Sequence, residues 1–236
     1  MYGEIFRSGT LELTDPPVPA DVPVMPDWLA MPGNRVLMVA AILLIFSALG
    51  EYLRIFPYTF RSLTRPREHA HIQHNMSLVY TRNYVAMCLL LPFCLMADRY
   101  FLYTPSFAGV IPAGWSVTVP AAAIAAYLLL RRLLFAVFKP RRFTSELEEA
   151  YHFAVYNIFI MLATAMLLTV AAMLPFSPAD MTVRTVLLSE IAVAFLLTCW
   201  NVMQILSLHC SVLGTILYLC ALELIPAGLL LYSELR

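Results

Sequence analysis

A glutamate stands near the middle of an apolar run long enough to cross a bilayer. It is Glu223, within SVLGTILYLCALELIPAGLLL, Ser211 to Leu231. A bare ionised carboxylate at that depth costs on the order of a few kcal/mol or more, so it must be protonated, paired or turned to an internal cavity. Pro226 follows one turn later. Proline has no N–H to donate, so the carbonyl of Leu222 becomes a free acceptor beside the glutamate. Two readings are open: a hydrogen bond that fixes helix packing, and a group that handles protons or ions. Cys220 and Ala227 share the Glu223 face of a helix and are small, which lets a neighbouring helix come close.

Other polar groups fall inside apolar runs. Glu190 lies in the outer third of the fifth run and Glu51 in the inner third of the first. Thr198, Asn201 and Gln204 share a broad helical face with Glu190; Asn157 and Thr164 share one on the preceding run. Hydrogen bonds between helices of this kind are worth about 0.6–2 kcal/mol each, and they serve as packing glue or line a pathway. Glu51 and Arg54 sit one helical turn apart on a face with Ser47 and Tyr58.

The histidines offer a weaker metal site. His69, His71 and His74 read HxHxxH, with His152 and His209 expected on the same membrane face. Neutral imidazoles converging from separate loops would suit a metal. The count and spacing do not match the histidine boxes of membrane di-iron desaturases, and solvated histidines in a basic loop are the plainer reading. No serine elbow, P-loop or HExxH occurs, so no catalytic residue, resident metal or cofactor is assigned. The arginines of two loops, Arg61, Arg65 and Arg67 in one and Arg131, Arg132, Arg141 and Arg142 around the other, are candidates to grip anionic lipid headgroups. Setting topology alone is the competing explanation.

The elements that must position these residues are membrane helices. Hydrophobic residues make up 61% of the 236, collected in long runs, whereas soluble domains are typically about half apolar. Net charge is zero, which leaves no footprint for nucleic acid. The five cysteines lie in or beside apolar runs without a CxxC pair, and read as small buried hydrophobes. The expected fold is all-α, a polytopic bundle of about six spans: 36–56, 83–103, 116–138, 151–174, 183–206 and 211–232. Residues 1–35 form a proline-rich polar tail, expected to be extended, with no signal-peptide pattern. Trp28 and Leu29 read as an interfacial anchor. The stretch from Pro57 to Arg82 reads as a basic loop whose later part is an amphipathic interfacial helix. Pro92 predicts a kink in the second span, and Thr144 or Ser145 a cap before the fourth. Arg54, Arg61, Arg65, Arg67, Arg82, Arg131, Arg132, Lys139, Arg141 and Arg142 collect on one side, which the positive-inside rule makes cytoplasmic. Both termini are then extracytoplasmic.

The last run also carries a resemblance. Leu217, Tyr218, Leu219, Cys220, Leu222, Glu223 and Pro226 match the form LYLCxLExxP. It resembles the C-terminal signature of a family of polytopic inner-membrane proteins of Bacteroidota that is catalogued as a domain of unknown function. The resemblance implies a bacterial inner membrane and transfers no catalytic residue. Short loops and the lack of a chemical motif point to a non-enzymatic subunit or accessory factor of a cell-envelope complex, whose partners are the bilayer, its anionic headgroups and an envelope protein. A small ion- or proton-coupled carrier built on Glu223 and Glu190 is the alternative. A lipid-modifying enzyme using the cytoplasmic histidines and arginines is the third.

Overall fold

The computed structural model describes residues 28–64, 76–105, 111–138, 145–176, 179–207 and 212–235. These are 92% helical with no strand, so the chain is all-α as its hydropathy implies. Among the described residues seven α-helices form: α1 Pro32–Thr64, α2 Met76–Arg99, α3 Thr118–Phe138, α4 Ser145–Met173, α5 Asp180–Ser207, α6 Val212–Leu219 and α7 Ile225–Leu235. A five-residue π turn, Cys220–Leu224, joins α6 to α7. Helices α1 to α5 are each long and apolar enough to cross a membrane, which makes this a multi-pass membrane protein. The sixth apolar run is not one continuous α-helix, because the π turn divides it.

Several helices extend beyond their apolar cores. α1 runs on through Pro57 to Thr64, and α2 begins at Met76. Both ends of the segment read as a basic loop are therefore helical. The helix survives Pro57 and Pro92; membrane helices tolerate proline because neighbouring groups take up the freed carbonyl. Pro120 costs α3 nothing, since it lies in the first turn where N–H groups have no helical partner anyway. α4 begins at Ser145, where the sequence places a cap. The proline-rich tail up to residue 27, and the residues joining α1 to α2, lie outside the described residues.

α2 is the central helix. Half of its apolar window is buried inside the protein, against 11% of that of α1. Around its middle, Val85, Ala86 and Leu89 pack with Ile55 of α1 and with Ile160 and Ala163 of α4. Near its end, Met96 and Ala97 pack with Met166 of α4 and with Val183 and Leu187 of α5. The outer faces stay apolar: Val36, Leu43 and Phe46 of α1 and Leu196 and Trp200 of α5 are exposed. This distribution suits a bilayer solvent, where a lipid-facing leucine gains nothing by turning inward.

One end of the bundle is tied by Asp98, the penultimate residue of α2. Its Oδ2 accepts from Trp28 Nε1 at 2.6 Å and from Ser116 Oγ at 2.9 Å. Trp28 is thus more than an anchor in headgroups: its indole N–H joins the chain ahead of α1 to the end of α2. The Trp28 carbonyl accepts from Asn34 Nδ2 at 3.1 Å. At the same end, Tyr103 after α2 and Ser233 in α7 share a hydrogen bond of 2.7 Å. The C-terminus of α2 closes in a left-handed turn: Phe101 has φ 50°, and Leu102 N–H reaches back to the Ala97 carbonyl at 2.9 Å. Glycine usually fills that position, but here the buried Leu102 and Ala97 beside it hold the turn.

Candidate functional site

The core of the candidate site is a buried ion pair. Glu223 is 0% exposed, and its Oε1 accepts from Arg131 Nη2 of α3. Its other oxygen accepts from Tyr127 Oη at 3.2 Å. Tyr127 and Arg131 stand one turn apart on α3, so both point to one partner at one depth. Both carboxylate oxygens are engaged, and the arginine cancels the charge.

The local backbone is what brings Glu223 here. Pro226 cannot donate to the Leu222 carbonyl, and its ring would press on that carbonyl in a regular helix. The chain widens instead: Ile225 N–H bonds to the Cys220 carbonyl, closing the π turn that contains Glu223. The extra residue in that turn shifts the register between α6 and α7. Pro226 and Ala221 are buried against the rest of the bundle.

This arrangement corrects one expectation. Arg131 does not reach for headgroups: it is 4% exposed and turned inward to Glu223. Its neighbour Arg132 is exposed and remains able to meet a lipid surface. The two differ because consecutive residues on a helix point about 100° apart. The side chain of Arg61 and all of Arg65, Arg67, Arg141 and Arg142 lie outside the described residues. So do His69, His71 and His74, all of His209 and the side chain of His152. Among the described residues no group of three His, Cys, Asp or Glu side chains could hold a metal.

The stripe on α5 is used in three ways. Glu190 Oε1 accepts from Thr169 Oγ1 of α4, which is a bond between helices, while Glu190 Oε2 is buried without a partner. Thr198 instead donates to the Ala194 carbonyl of its own helix at 2.8 Å. Thr164 does the same toward Ile160 at 2.6 Å. Both threonines therefore satisfy their hydroxyls within their own helix, one turn back. Asn201 is buried with its Oδ1 unpartnered, Asn157 is buried, and Gln204 is partly buried. Glu51 meets Arg54 at 3.9 Å on the exposed side of α1. Ser47 bonds to the Leu44 carbonyl at 2.8 Å and lies 3.3 Å from Tyr84 Oη, so it does not join that pair.

Sequence reasoning missed Tyr127, Asp98 and Arg82 as site residues. The signal for the first was present: Arg131 is the arginine deepest in the third apolar run, and Tyr127 precedes it by one turn. Comparison with protein-family models, with curated proteins and with solved structures finds no match.

Proposed function

We propose that this chain is a multi-pass protein of the bacterial inner membrane that acts as a non-enzymatic subunit or accessory factor of a cell-envelope complex. One observation carries the reading: the deepest carboxylate is sealed, neutralised by Arg131 and held by Tyr127. A carrier that moves protons through Glu223 must repeatedly free that carboxylate. A buried arginine paired to that carboxylate in a low-dielectric interior opposes this, because breaking such a pair costs about 3–5 kcal/mol. The pair therefore acts as a lock that fixes how α3 packs on the π turn. The resemblance of the Leu217–Pro226 segment to inner-membrane proteins of Bacteroidota supports the location. The arginine-rich ends of α1, α2 and α3 are cytoplasmic in this reading.

The test is purification of the tagged full chain from its native membranes in mild detergent. A stoichiometric envelope protein whose assembly fails when the chain is deleted supports the reading. A chain that purifies alone and drives ion flux in liposomes, with flux lost in Glu223→Gln, overturns it.

A carrier reading retains one specific support, the buried and unpartnered Oε2 of Glu190. That reading needs Glu190→Gln to abolish proton or cation flux in liposomes while leaving the fold intact. Flux unchanged by that substitution removes it.

A further inference from the structure

Arg82 is the counterpart of Arg131, with one difference. It too is buried, at 6% exposure, within the first turns of a membrane helix. Its Nε and Nη2 both donate to Asn83 Oδ1, at 3.2 and 3.0 Å. The guanidinium lies over the Phe153 ring at 4.2 Å and near the Tyr156 ring at 5.4 Å. Its Nη1 is buried with no acceptor, and among the described residues no carboxylate pairs with it. Asn83 is neutral and the rings offer only their faces. A full positive charge and a free N–H pair are thus left uncompensated where α1, α2 and α4 meet.

Arg82 is also part of a cleft. Ile55, Tyr58 and Thr59 of α1, Leu78 of α2, and Phe153 and Asn157 of α4 complete its lining. The cleft lies at the arginine-rich end of the bundle, opposite the end tied by Asp98. The two aromatic rings cover the guanidinium, and Nη1, enclosed and without an acceptor, is the nitrogen left for a ligand oxygen to reach. Planar guanidinium edges match oxyanions, phosphate above all. Tyr58 in that lining is exposed and amphipathic, as suits a residue at headgroup level.

We propose that the α1–α2–α4 cleft receives one oxygen of a phosphate group, held through the unpartnered Nη1 of Arg82, with the rest of the ligand lying outside the cleft. The group comes from an anionic phospholipid headgroup or from a soluble phosphate. Both present the same oxygens to Arg82.

The experiment uses the purified full chain in mild detergent, with three probes: phosphatidylglycerol, zwitterionic phosphatidylcholine and inorganic phosphate. Binding is read as a rise in unfolding temperature on titration and as lipid retained in native mass spectrometry. Wild type should be protected by phosphatidylglycerol and not by phosphatidylcholine. Loss of one charged hydrogen-bond partner weakens binding by about 10- to 100-fold, so Arg82→Gln should show that loss. Leu78→Trp, which fills the cleft and keeps the charge, should lose binding as well, and it keeps the test decisive if Arg82→Gln fails to fold. Protection by inorganic phosphate equal to that by phosphatidylglycerol supports the site and assigns it a soluble source. Equal retention of phosphatidylcholine, no response to any probe, or phosphatidylglycerol binding unchanged in Leu78→Trp overturns it.

Discussion

At the scale of single residues, the central pair separates cost from benefit. Removing one partner of a buried ion pair leaves an uncompensated charge, whereas removing both leaves only a packing change. Glu223→Ala and Arg131→Ala should each destabilise the purified protein by about 3–5 kcal/mol. The double variant Glu223→Leu with Arg131→Met should cost less than either single change, read by unfolding in detergent. A double variant as unstable as the sum of the singles would mean that the two residues do not act on each other. Tyr127→Phe removes one hydrogen bond to a carboxylate that Arg131 still neutralises, so its cost should be about 1 kcal/mol. Glu190 differs in kind. Its Oε1 is held by Thr169 and its Oε2 has no partner, so Glu190→Gln should be tolerated or mildly stabilising. Thermal unfolding of that variant checks this, and a large loss of stability would reveal an ionised partner for Oε2.

At the scale of elements, two backbone features are under tension with their sequence. The π turn exists because Pro226 denies Leu222 its usual partner. Replacing it by alanine restores a donor and lets α6 and α7 relax toward one regular helix, turning Glu223 away from α3. The coupling energy between Arg131 and Glu223, measured by a double-mutant cycle, should therefore fall in a Pro226→Ala background. An unchanged coupling would show that tertiary packing alone holds the π turn. Phe101 ends α2 with a left-handed backbone that disfavours a β-carbon by about 1–2 kcal/mol. Its ring is 48% exposed and so contributes limited packing within the chain. Phe101→Gly should raise stability by about 1 kcal/mol, checked by unfolding in detergent. A loss would mean that the ring is anchored more firmly than its exposure suggests.

At the scale of the whole molecule, the ends of the bundle have different chemistry. One end is sewn by Asp98 to Trp28 and Ser116 and by Tyr103 to Ser233; the other carries Arg54, Arg82 and Arg132. In the proposed orientation, single cysteines at Tyr80 or Val137 in a cysteine-free background should react only with a reagent that reaches the cytoplasm. A cysteine at Phe176 should react with an impermeant maleimide from outside. All three positions are highly exposed, so a reversed pattern would invert the topology. Much of this architecture is written in the sequence. Runs of apolar residues in a bilayer must satisfy their backbone internally, and helices do so locally, so hydropathy alone dictates helices at nearly these positions. Hydropathy is blind to helix ends in water, which is why α1 and α2 reach further than their apolar cores. The sequence also shows that Glu223 needs an answer, because the bilayer penalises a bare carboxylate wherever the chain puts one. What it leaves open is which answer. Pairing with Arg131 depends on the relative rotation and depth of α3 and the last apolar run, which are set by packing and by the register shift of the π turn. The same holds for Arg82, whose burial against Phe153, with no carboxylate partner among the described residues, arises only when α2 and α4 come together. Local physics fixed the helices and their costly residues; tertiary contact alone decided which charge was cancelled and which was left.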